Sequence, residues 1–262
     1  MKRLNCSKIQ LALFVLMFLA FNANAQKLPK VQTASVYAPG NIKIDGRATE
    51  WGGTYQAYNH IDHLFYSMAN DDKNIYLVVS SSDQLSISKM VRWGIALTIN
   101  GTGKRKSKDP NNVVVSFPVA DEKRNLGIIH SMGEKDILVN KTTMMNSRNA
   151  KIANVYKLIE VSGIKEISEP TISIYNTTGI KTGSLFDNKL AYVYELAIPL
   201  KYLGTSINNG ARFSYNIKLN GGILKNGAAM PMRVDGGPTP TQDYLFSPTD
   251  FWGEYTLARQ TH

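Results

Sequence analysis

The chain has 262 residues, 43% of them hydrophobic, with 30 Lys and Arg against 20 Asp and Glu and a formal net charge of +10. Such a length accommodates one large β-sandwich or two small domains, and the basic balance favours polyanionic surfaces as partners. Its single cysteine, Cys6, precedes the first apolar run, so disulfides, thiolate nucleophiles and cysteine-ligated zinc or iron–sulfur centres are excluded from everything downstream.

Residues 1–25 combine a basic start (Lys2, Arg3, Lys8), an apolar run from Leu11 to Phe21, and Ala23-Asn24-Ala25. That pattern predicts a secretory signal cleaved before Gln26 and a periplasmic or extracellular protein. Eleven apolar residues are too few to cross a bilayer, so no transmembrane span is expected after cleavage. The mature chain would keep 237 residues and a formal charge of +7. Residues 26–37 read as a linker and 38–262 as one domain.

Asp45-Gly46, followed by Glu50-Trp51, predicts a tight turn in which the glycine supplies a positive φ and the carboxylate bonds nearby amides. Residues 74–79 are apolar on both faces, as in a central strand. Period-two alternation predicts half-buried strands at 93–100 (Trp93, Ile95, Leu97, Ile99 inward), 192–198 (Tyr192, Tyr194, Leu196, Ile198) and 213–219 (Phe213, Tyr215, Ile217, Leu219). The opposite parity carries Arg92, Thr98, Glu195, Ser214, Asn216 and Lys218, a polar face if these strands are neighbours. Asn100-Gly101 opens a long basic loop, with Lys104, Arg105, Lys106 and Lys108, before the strand at 113–117. Residues 144–154 suggest a short helix, and 155–161 either its continuation or a strand. The Gly- and Pro-rich stretch 220–242 reads as a long loop, a lid or a binding loop. Together these elements predict an all-β fold, a single antiparallel β-sandwich with long loops and one short helix.

Four segments carry a family likeness: Ile42-Lys-Ile-Asp45-Gly46-Arg-Ala-Thr-Glu50-Trp51, Asp71-Asp72-Lys-Asn74-Ile-Tyr-Leu-Val-Val, Tyr194-Glu195-Leu-Ala-Ile198-Pro199-Leu, and the closing Phe251-Trp252-Gly253 with Leu257. In these the chain resembles family-9 carbohydrate-binding modules and their DOMON-like relatives. The resemblance implies a β-sandwich scaffold, structural roles for Asp45, Gly46, Trp51 and Glu195, and a core position for Trp252. It also implies a non-catalytic module that grips a glycan or cell-envelope polysaccharide between aromatic planes. Trp93 stands outside the framing motifs, at a parity that suits the core and as the remaining indole for a sugar; Tyr55, Tyr58, Tyr66 and Tyr244 are alternative aromatic surfaces. The candidate carbohydrate-binding residues are Trp93, Arg92, Glu195, Asn216, Lys218 and Arg233.

Catalytic signatures are sparse. Gly-x-Ser-x-Gly and His-Glu-x-x-His do not occur, and Gly101-Thr-Gly103-Lys104 lacks the rest of a phosphate-binding loop. His60-Ile-Asp62-His63 is the one cluster of metal-ligand types; on a strand His60 and Asp62 would share a face. No cofactor is expected, although Asp71, Asp72 and Asp83 offer oxygen ligands for calcium. DOMON-like relatives imply an alternative, a haem-binding electron-transfer domain in which haem sits between a methionine (Met68, Met90, Met230, Met232) and a histidine (His60, His63, His130) or a lysine. A structural envelope protein that contacts another protein is a third reading. Nucleic acid is not expected as a partner of an exported chain without a nucleic-acid motif.

Overall fold

The structure is a computed structural model that describes residues 27–119, 128, 140–208, 210–222 and 240–260. The predicted signal, Arg233, His130, Met230 and Met232 lie outside the described residues.

Eleven strands are described: β1 (Ala57–Asn59), β2 (Leu64–Asn70), β3 (Asn74–Ser81), β4 (Ile95–Asn100), β5 (Asn112–Phe117), β6 (Leu158–Ser162), β7 (Thr171–Ser173), β8 (Lys181–Phe186), β9 (Tyr192–Pro199), β10 (Phe213–Leu219) and β11 (Thr249–Tyr255). They form two antiparallel sheets, ordered β1-β2-β3-β9-β8 and β11-β10-β4-β5-β6-β7. The fold is the all-β sandwich that the alternation predicts. Among the described residues it is interrupted by the α-helices α1 (Gln84–Trp93), α2 (Lys141–Val155), α3 (Thr205–Asn208) and α4 (Pro240–Phe246).

Between the sheets the inward parities meet. Tyr66, Met68, Leu77, Tyr194 and Leu196 from the first sheet, and Leu97, Ile99, Val115, Tyr215 and Ile217 from the second, belong to one buried cluster. Burial of apolar area on this scale is what stabilises a fold without disulfide cross-links. β3 is the central strand of its sheet, as its two apolar faces predict, because its outer face is covered as well. Ala69, Tyr76, Val78, Val193 and Ala197 point outward there and pack under Ala38, Ala48 and Trp51 of the segment preceding β1.

The 93–100 segment departs from expectation. It contains a helix end and a strand, not one strand. Asp83 caps α1 by accepting from the Ser86 amide, and Gly94 ends it at φ 82°. A Cβ at Gly94 would lie 2.3 Å from the Pro118 carbonyl oxygen, so the reversal from helix to β4 requires glycine. The 144–154 helix is present as the longer α2, capped by Asn140, and the ambiguous stretch after it resolves into β6.

Candidate functional site

Glu195 belongs to the scaffold. Its side chain leaves the outer face of β9, where Oε2 accepts from the amides of Asp45 (3.1 Å) and Gly46 (2.7 Å) and Oε1 from the Trp51 indole (2.9 Å). The residue is fully buried. Burial raises its carboxyl above the ordinary value, against the pull of the three donors. Gly46 has the expected positive φ, 82°, and Asp45 accepts from the Arg47 amide at 3.0 Å. Glu195 therefore lies in the first sheet beneath the framing turn, whereas Asn216 and Lys218 lie in the second. The shared face proposed for these residues does not form.

Arg92 is also displaced from that face, because it lies with Trp93 at the end of α1. The Arg92 guanidinium lies over the Trp93 ring at 5.4 Å. Trp93 is buried, its ring 5.5 Å from Phe246 and close against Gly222. Among the alternative aromatics, Tyr66 is a core residue whose hydroxyl meets that of Tyr215 at 3.1 Å. Tyr55 and Tyr58 flank Phe65 at the edge of the first sheet, and Tyr244 packs over Lys89.

The His60–His63 segment is a turn between β1 and β2, not a strand. His60 and His63 are exposed while Asp62 is buried, so the histidines and the carboxylate part company. Asp62 accepts from the Thr249 hydroxyl, and Lys89 donates to the Ser247 carbonyl (2.9 Å) and Thr249 Oγ1 (2.7 Å). Among the described residues no three His, Cys, Asp or Glu side chains converge as metal ligands. Met68 and Met90 are fully buried core residues.

The closing strand carries a residue that the sequence placed in the core. Phe251 and Tyr255 turn inward, Phe251 against Tyr66 at 5.3 Å, and the intervening Gly253 makes room for the Tyr215 ring. Asp250, Trp252 and Glu254 take the opposite parity. Trp252 is half-buried on the outer face of the second sheet, which corrects its expected core position. Pairing registers extend that face in rows: Trp252, Asn216, Thr98 and Val114 in one, Asp250, Lys218, Ala96, Ser116 and Glu160 in the next.

Ala96, Thr98, Ser116 and Asn216 form the middle of the face and are buried. Lys218, Asp250 and Glu160 stand at its sides. The Asn216 amide donates to Asp250 Oδ2 at 2.6 Å and to the Phe251 carbonyl at 3.1 Å, fixing both carboxylate and strand edge.

Beside Trp252 runs a groove of 460 Å³, also lined by Thr33, Ser35, Arg105, Arg212 and Glu254. Glu254 accepts from Arg105 Nη2 at 2.8 Å and from Arg212 Nη1 at 3.2 Å. A larger cleft of 920 Å³ lies where the β2–β3 turn meets residues 177–179 and 257–260. Its Asp71 is engaged in holding the turn. Asp71 accepts from the Lys73 and Asn74 amides and the Tyr76 hydroxyl, and although burial opposes them these bonds hold its carboxyl below the ordinary range.

No family model and no curated protein matches the chain. A carbohydrate binding module family 9 from Caldicellulosiruptor kristjanssonii, solved in complex with glucose, is similar at 10% sequence identity and a TM-score of 0.37, over 87% of this chain and 96% of that one. A likeness at that level transfers no residue role.

Proposed function

We propose that this protein is an exported, non-catalytic glycan-binding module whose ligand lies on the outer face of the second sheet against Trp252. The observation that carries the reading is the placement of the three tryptophans. Trp51 is engaged by Glu195 and Trp93 is enclosed by Phe246, which leaves Trp252 half-open beside a groove and in register with Asn216. An indole face packs against the axial C–H groups of a pyranose, while the half-buried Lys218 and the exposed Asp250 offer donors and acceptors to its hydroxyls. Among the described residues the buried carboxylates Asp62 and Glu195 are each held by neighbouring donors within the scaffold, which supports a binding role over a hydrolytic one.

The test is a glycan array followed by titration of Trp252→Ala, Lys218→Ala and Asn216→Ala against the sugar that binds. Losing one aromatic stacking surface removes about 1.5 kcal/mol or more, so Trp252→Ala is expected to weaken binding at least about tenfold. Its melting temperature should stay near that of the parent. Unchanged affinity in all three variants would place the ligand elsewhere.

A further inference from the structure

We infer that the groove beside Trp252 takes an acidic glycan, with Arg105 and Arg212 as the side chains that read its carboxylates. This rests on the Trp252 reading above and adds the ligand class.

The argument begins with how the β4–β5 loop is held. The Ser214 hydroxyl donates to the Lys104 carbonyl at 2.6 Å, and Ser214 is the register partner of Glu254. The loop is thereby tied down where Arg105 reaches one oxygen of Glu254. Arg212, one residue before β10, reaches the other. A single carboxylate thus orients two guanidinium groups, and each keeps further N–H donors for a ligand because the fork carries five.

Charge in the groove favours an anion. Two guanidiniums face one carboxylate among its lining side chains, and the loop continues with Lys104, Lys106 and Lys108 against Asp109. Arginine matches carboxylate geometry with two parallel hydrogen bonds, which a lysine cannot do. Trp252, Thr33 and Ser35 line the same groove, so a sugar ring that bears the acid suits it better than a bare anion. The side chains of Arg105 and Arg212 are 52% and 73% exposed, so their pairing with Glu254 adds little to folding. Their removal is therefore a clean test.

Polygalacturonate, alginate and hyaluronate would each be titrated beside its carboxyl-reduced counterpart, using the parent, Arg105→Ala and Arg212→Ala. At least one acidic polymer should bind, its reduced form about tenfold more weakly, and each arginine variant about tenfold more weakly at unchanged melting temperature. Added salt should weaken the acidic complex. Equal binding of acidic and reduced forms, or parental affinity in both variants, overturns the inference while leaving the Trp252 reading in place. So does Trp252-dependent binding of neutral sugars with no response to any acidic polymer. If neither neutral nor acidic glycans bind, the reading of the face itself has failed.

Discussion

At the scale of single residues, Glu195 shows how a buried carboxylate serves as a clamp. It gathers two backbone amides and one indole N–H from a segment about 150 positions earlier in the chain. Glu195→Ala leaves two buried donors, the Gly46 amide and the Trp51 indole, without this acceptor, together with the part-buried Asp45 amide, and unsatisfied buried donors cost about 1–3 kcal/mol each. Unfolding in urea should register a loss of at least about 2 kcal/mol. Trp51→Ala removes the indole and its packing, for about 3–5 kcal/mol, whereas Trp51→Phe keeps an apolar ring and should cost less. A Glu195→Ala protein with parental stability but no glycan affinity would contradict the scaffold role.

At the scale of elements, α1 is tied to the end of the sandwich by Lys89. Its ammonium donates to Ser247 and Thr249 and lies 4.3 Å from the centre of the Tyr244 ring on α4; Asp62 faces it from the β1–β2 turn. Burial depresses its pKa from 10.5 to about 8, against the attraction of Asp62. Between those values the unfolded chain holds the proton and the folded chain releases it. Raising the pH through that window therefore favours the fold.

Lys89→Met removes this titration. The stability difference between parent and variant should move in favour of the parent between about pH 8 and pH 9.5, below the range where ordinary tyrosines ionise. A difference that stays flat or reverses, measured by urea unfolding at each pH, would contradict the burial of the ammonium.

The helix itself was legible in outline. Asp83 before Gln84-Leu-Ser and Gly94 after Trp93 are start and stop signals. They were outweighed by a period-two reading that ran Trp93 into the true strand β4. The strands β9 and β10 were legible because each alternates against a continuous core. Parity alone could not assign them to different sheets, since that depends on a chain order that no local pattern records.

At the scale of the molecule, the two sheets are joined by the segment before β1. Beyond its short pairing with β1, β2 would present a free edge. The Gln32 amide closes it by accepting from the Met68 amide (2.7 Å) and donating to the Met68 carbonyl (2.8 Å), as a neighbouring strand would. Ser35 and Val36 then reach the far sheet at Thr256 and Tyr255. This segment reads as a linker in sequence because its polar groups make long-range bonds without forming a strand.

The candidate face was partly legible. Asn216 and Lys218 fall on it, as their parity implies, and the alternation of Asp250, Trp252 and Glu254 against Phe251, Gly253 and Tyr255 was available in the closing strand. Family likeness pointed Trp252 inward, and the local period pointed it outward. The Arg105–Glu254–Arg212 arrangement was beyond reach, since it joins a loop to a strand some 150 residues away.

The most direct measurement follows the indole N–H resonances of the three tryptophans during titration with a bound glycan, with Trp252→Phe used to assign one of them. The Trp252 signal should shift with ligand while those of Trp51 and Trp93 hold their positions. A ligand that binds and moves the Trp93 or Trp51 signal, or leaves Trp252 untouched, would contradict the assignment of the outer face of the second sheet as the binding surface.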